Sequence, residues 1–184
     1  PATPKEHLLA VALPLFVARG YQGASMREVA EAAGVSKAAI YHHFADKETL
    51  FLALLLGAVA QAGDLVDSAA ALVGPTSVKL HALLTGFSAH RNDQQAAMRL
   101  AEREAVHLSE AGRTQLFQEY RTRFTAPIER LMAAGQATGD LRADDPRWQA
   151  SSLLLLAQAL LGPSERGVSV DTVLNTFLHG AGAG

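Results

Sequence analysis

Caps recur along this chain at the spacing of helix starts, and the β-branched alternation of a strand is scarce. Thr3-Pro4-Lys5-Glu6 combines a Thr cap, Pro at the first helical position and Glu three residues after the cap. That combination satisfies N–H groups a helix start would otherwise leave unpaired. Leu8, Leu9, Ala12, Leu13, Phe16 and Val17 then recur at helical spacing, and Arg19-Gly20 supplies a stop. Pro14 lies inside this pattern, and its missing N–H predicts a kink. Ser25-Met26-Arg27-Glu28 is a second capping box, opening a helix to Ala33. Gly34-Val35-Ser36 reads as a turn, with Ser36 capping a helix over Lys37–Phe44. Asp46 caps a third helix, running through an apolar stretch to Ala71 and weakened by Gly57 and Gly63. Further helices are expected over Ser77–Ala89, Asp93–Leu108, Glu110–Thr138, Pro146–Leu161 and Val170–His179. Breaks are expected at Arg91-Asn92, Gly112, Gly139-Asp140, Asp144-Asp145 and Gly162-Pro163, and Pro127 implies a kink or division in its helix. The class is all-α, with a small amino-terminal domain over 1–57 and a larger helical domain over 58–184.

Composition narrows what such helices can do. Sixteen Lys and Arg stand against 18 Asp and Glu in 184 residues, which excludes a histone-like basic protein. Hydrophobic residues make up 49% and charged residues 18%, too apolar for an unfolded chain. With no cysteine, disulfides, thiolate metal sites and cysteine nucleophiles are excluded. The opening residues lack the order of an export signal. The longest apolar run, Leu50–Ala60, falls short of the roughly 20 residues that span a bilayer. The expectation is a cytoplasmic protein with no membrane partner.

The chemistry concentrates in Ser25–Lys47. Two short helices joined at Gly34, with Val29, Ala33, Val35 and Ile40 spaced to pack them and Ala30 small at their approach, have the arrangement of a helix-turn-helix. A helix entering a major groove about 12 Å wide must be slim on the face it presents. Lys37, Ala38 and Ala39 meet that requirement, while Tyr41, His42 and Lys47 offer donors to phosphates at the groove margin. The amino end of the helix after Asp46 could also direct N–H groups at a phosphate.

These residues closely resemble the signature of TetR-family transcriptional regulators. Ser25, Val29-Ala30, Ala33-Gly34-Val35-Ser36-Lys37, Ile40-Tyr41, His43-Phe44, Lys47-Glu48 and Leu50 carry the resemblance, and Phe16, Gly20 and Tyr21 extend it. It covers the first 55 residues or so; beyond them only the helical character, the length and a Gly139-Asp140-Leu141-Arg142 turn before an Asp-Pro helix start are alike. The resemblance implies a homodimer. Each subunit has a three-helix DNA-binding domain and a helical domain for effector binding and dimerisation. By carry-over, Ser25, Arg27, Ser36, Lys37, Ala38, Ala39, Tyr41, His42 and Lys47 form the DNA-binding set, with Lys37, Ala38, Ala39 and His42 nearest base edges.

One feature opposes a simple electrostatic reading. Residues 1–56 hold five cations (Lys5, Arg19, Arg27, Lys37, Lys47) and five acids (Glu6, Glu28, Glu31, Asp46, Glu48). Affinity for DNA scales with the phosphates neutralised, so moderate, dimer-dependent binding is expected.

In the second half, Trp148–Leu161 is apolar nearly all round, and Val170–Leu178 has an apolar stripe. A helix without a polar face needs cover on every side. Trp148, Leu153, Leu156, Leu160, Val173 and Phe177 are therefore expected at a twofold interface. Phe87, Met98, His107, Phe117, Tyr120, Phe124 and Gln158 are candidates for a pocket taking a small, largely hydrophobic effector. Glu104 and His107 have the spacing of half a carboxylate-bridged metal site, but no second half is present, and neither metal nor cofactor is expected. No nucleophile elbow, P-loop, dinucleotide fingerprint or zincin pair occurs, so the chain is not expected to be an enzyme. The leading expectation is a ligand-responsive repressor on a pseudo-palindromic double-stranded operator, with the helix after Asp46 joining the two domains. The alternative is a dimeric helical small-molecule-binding protein whose DNA-binding head is weak or vestigial.

Overall fold

In the computed structural model, residues 3–89, 93–161 and 168–181 are described, and among them every regular element is helical. The elements are α1 (Pro4–Gly23), α2 (Met26–Ala32), α3 (Lys37–His43), α4 (Lys47–Ala70), α5 (Thr76–Ala89), α6 (Asp93–Glu104), α7 (Glu110–Glu119), α8 (Ala126–Ala137), α9 (Pro146–Ala157) and α10 (Val170–Ala181). A 3-10 turn, Ala105–His107, follows α6; a π turn, Tyr120–Thr125, precedes α8; and a second 3-10 turn, Gln158–Leu161, follows α9. The breaks expected at Arg91-Asn92 and Gly162-Pro163 lie outside the described residues.

Two compact units divide the chain: residues 1–59 with 92–119, and residues 60–91 with 120–184. The unit around the amino-terminal helices takes in α6 and α7 as well. Ala97 and Leu100 of α6 and Leu108 join the buried cluster of Leu8, Phe16, Ile40, Phe44, Leu50 and Phe51. A local reading cannot see this, because the apolar faces of α1 and α6 meet across some 80 residues of chain.

Both capping boxes form, at Thr3/Glu6 and at Ser25/Glu28. Pro14 sits exposed on α1, and the non-helical backbone inside that helix is at Gly20 (φ 67°) rather than at the proline. The break therefore falls where a glycine relieves the strain of positive φ.

In the second unit, Val66, Leu80, Leu83, Leu84, Ile128, Met132 and Leu153 are sealed together. Gly63 explains itself here: a Cβ on it would lie 2.6 Å from the carbonyl oxygen of Arg123. Pro127, four residues after Arg123, has no N–H to give that carbonyl, and the backbone there widens into the π turn. Glycine on α4 lets the two backbones close. Gly112, expected to break a helix, lies inside α7; its missing Cβ leaves room for the Glu48 carboxylate, 2.9 Å away from where the atom would be. The turn before α9 is tied by Asp140, which accepts from the Thr76 N–H (2.8 Å) and hydroxyl (2.9 Å). Buried Gln149 accepts from Gln136 (2.7 Å) and donates to the Arg142 carbonyl (3.1 Å).

By length and composition α4, with 24 residues, is apolar enough to cross a membrane, but half of its most apolar stretch is buried inside the protein. That burial is what a core helix requires.

Candidate nucleic-acid interface

The α2–α3 pair is built on a seam. Val29 and Ala30 of α2 and Ile40 of α3 are fully covered, and Ala33 and Val35 pack at their edge. Gly34 turns the chain at φ 68°, its N–H donating to the Glu31 carbonyl while the Val35 N–H donates to Ala30. Ser36 caps α3 by accepting from the Ala39 N–H at 3.1 Å. With Ile40 inward, Lys37, Ala38, Tyr41 and His42 are exposed together. Their spacing places them on one side of the helix. Tyr41 keeps 43% of its surface, much for an aromatic ring with no polar task inside the fold. Two alanines leave that side narrow, and Ala39 is half-buried at its edge.

α2 is fastened at both ends. The Glu28 carboxylate accepts from the Ser25 N–H (3.0 Å) and hydroxyl (2.7 Å) and also pairs with Arg19 of α1. The Ser25 hydroxyl, followed by Arg19, holds the Glu28 carboxyl below the usual glutamate range. Arg27, exposed, pairs with Glu31 at 3.5 Å. Asp46 accepts from the Thr49 N–H at 2.7 Å, which lowers its own pKa and occupies the amino end of α4 expected to face a phosphate.

Lys47 departs from its expected role. Its Nζ donates to the carbonyls of Tyr21 (2.9 Å) and Ala24 (3.2 Å) and stands 4.5 Å from the centre of the Tyr21 ring. Half-buried, the ammonium spends its donors on the α1–α2 turn. The Tyr21 phenol is pushed up by burial and by the nearby charges of Glu48 and Asp46. His107 stacks on the Tyr21 ring at 5.5 Å, and Glu104 accepts the Tyr21 N–H at 3.0 Å. The Glu104–His107 spacing that suggested half a metal site thus fastens the 3-10 turn to the end of α1, and His107 is withdrawn from any pocket in the second unit.

The remaining candidates separate. Phe124 is buried, with the Phe87 ring at 5.8 Å and the Tyr120 ring at 5.3 Å. Met98 and Phe117 belong to the first unit, and Phe117 is 68% exposed on α7. Gln158 is exposed on the 3-10 turn. Of the expected interface residues, Leu153, Leu160, Val173 and Phe177 are buried in their own unit and Leu156 is half-buried against it. Their burial leaves them no surface for a partner. The apolar residues turned outward on α9 are Trp148 (66%) and Leu155 (68%), two turns apart on one side. Leu155 was not among those expected. A helix apolar all round gives no phase from which to choose. Among the residues of α10 whose exposure is described, the outward positions are Asp171, Thr172, Asn175, Thr176 and His179, all polar.

Residues 8–54 match the family model described as bacterial regulatory proteins, tetR family. The transcriptional repressor AcnR of Corynebacterium glutamicum is 42% identical over 67 residues, 36% of each chain. The chain thus aligns with about a third of the length of the curated relatives it first matches. The repressor KstR2 of Rhodococcus jostii is 28% identical over 143 residues, 76% of this chain and 69% of that one. Among solved structures, a regulatory protein of the tetR family from Rhodococcus RHA1 superposes with a TM-score of 0.83 at 22% identity over 100% of both chains. AibR, in complex with isovaleryl coenzyme A and operator DNA, superposes with a TM-score of 0.74 at 20% identity over 95% of each.

Proposed function

We propose that this chain, whose residues 8–54 match the model of the tetR family of bacterial regulatory proteins, is a homodimeric repressor of that family that binds a pseudo-palindromic DNA operator and is released by a small, largely hydrophobic effector. The observation that carries the reading is the exposed side of α3. Lys37, Ala38, Tyr41 and His42 stand clear on a helix whose one buried residue is Ile40, with Phe44 buried at its end. A narrow helix with an exposed phenol, imidazole and ammonium suits a major groove. Ser25, Ser36 and Arg27, also exposed, suit the phosphates beside it. That AibR is found with both an acyl-coenzyme A and operator DNA supports the two-ligand scheme. So does the naming of AcnR and KstR2 as repressors.

The Phe87, Tyr120 and Phe124 cluster is the region we assign to the effector. Trp148 and Leu155 are the residues we assign to the dimer contact, since exposed apolar residues on one helix face suit a twofold partner. α4, which gives residues to both units, is the covalent link through which an effector would shift the population of DNA-competent dimers. The regulatory domains on this reading are residues 1–57 and 58–184.

Selection of DNA from a random pool by the purified protein tests the reading. It should return an inverted repeat, and Tyr41→Ala should weaken binding to it tenfold or more with no change in melting temperature. A second reading, a small-molecule-binding dimer with a vestigial head, is favoured by the Arg19–Glu28 and Arg27–Glu31 pairs, which silence two of the head's cations. Failure to enrich any sequence would overturn the DNA-binding reading in favour of the second.

A further inference from the structure

Two cations of the head have neither a carboxylate nor a carbonyl partner among the described residues. Arg19 pairs with Glu28, Arg27 pairs with Glu31 on the exposed surface, and Lys47 donates to backbone carbonyls. Lys5 and Lys37 remain, both exposed and neither with a carboxylate partner among the described residues. Each instead rests against an aromatic ring. Lys37 Nζ is 5.9 Å from the centre of the Tyr41 ring, at the start of α3. Lys5 Nζ is 5.7 Å from the centre of the Phe44 ring, the residue that closes α3. Both distances lie at the outer edge of a cation–π contact, so either ammonium can turn to a stronger anion.

We infer that Lys5, from the first turn of α1, is a phosphate contact of this protein and works with Lys37 as a two-point clamp across the ends of the reading helix. Seven residues of α3 extend about 10 Å at the helical rise, so the two ammoniums stand at opposite ends of a helix that would lie along a groove bordered by phosphates. Neither Lys5 nor Lys37 is paired with Glu6 or Asp46, whose carboxylates instead accept the Thr3 and Thr49 N–H groups, each at 2.7 Å. Local sequence gives no sign of this role, since Lys5 and Phe44 are 39 positions apart.

The inference rests on the DNA-binding reading, and the salt dependence of binding separates the two. The full-length protein is titrated onto its selected operator from 50 to 200 mM salt, as wild type, Lys5→Met, Lys37→Met and Lys47→Met. Each phosphate contact contributes about 0.9 to the slope of log affinity against log salt. Lys5→Met and Lys37→Met should each lower the slope by about that amount per bound head, with the melting temperature unchanged. Lys47→Met should weaken binding and leave the slope at the wild-type value. A Lys5→Met slope equal to wild type overturns the clamp while sparing the DNA-binding reading. A wild type with no salt-dependent operator binding overturns both.

Discussion

α2 and α3 are each seven residues long, yet α2 buries Met26, Val29 and Ala30 while α3 buries Ile40 alone. α2 carries a full capping box whose acid also grips Arg19 of α1. α3 has a single serine cap, no acid in its first turn and two histidines in its last. One helix is fastened by polar ties to its neighbours; the other buries one of its own side chains, Ile40, with Phe44 sealed at its end, and leaves Lys37, Ala38, Tyr41 and His42 exposed. The number of internal ties distinguishes a supporting helix from a reading helix more sharply than length or composition does.

The contrast breaks most readily at Ile40. Ile40→Ala removes the buried anchor of α3 and should cost about 2–5 kcal/mol. Thermal unfolding followed by circular dichroism would register the loss, and operator binding should disappear with it. Ala38→Ser, on the exposed side, should leave the melting temperature where it was, and equal losses at the two positions would refute the asymmetry. Next in size is Lys47→Met, which frees two carbonyls of the α1–α2 turn and should destabilise the protein by about 1–3 kcal/mol; a stability equal to wild type would mean those bonds contribute nothing in solution. Ser25→Ala removes the cap of α2 and should cost about 1 kcal/mol, measurable by urea denaturation.

The smallest effect concerns pH. Glu28 in the folded protein titrates below its ordinary value of 4.5, through the Ser25 hydroxyl and then Arg19. Its carboxylate therefore favours the folded state, in full above pH 4.5 and progressively less as the pH falls through the folded value. The stability gap between wild type and Glu28→Gln should be constant near neutrality and close on acidification below pH 4.5. A gap that widened there would reverse the sign of the argument.

The capping boxes, the Gly34 turn, the start of α9 at Pro146 and the helix-turn-helix seam could all be read from residue order. Each is made by groups within a few positions of one another, where the identity of a side chain nearly dictates its partner. Asp93 and Glu110 opened helices as expected, but the packing of α6 on α1 could not be foreseen. Apolar faces state that they must be covered without stating by what. Gly63 and Gly112 misled for the same reason: a glycine looks like a weak point until the backbone or carboxylate that needs its missing Cβ is in place.

Class, most helix starts and the slim helix α3 were thus fixed by short-range chemistry. Long-range packing assigned the lysines: Lys47 to carbonyls, Lys5 to the end of α3. It likewise turned Leu153 and Phe177 inward and Trp148 outward. A lysine carries the same charge wherever the chain leads it, and a leucine the same apolar surface. What each one does depends on the neighbour folding brings, and contacts spanning tens of residues leave no mark in the local pattern.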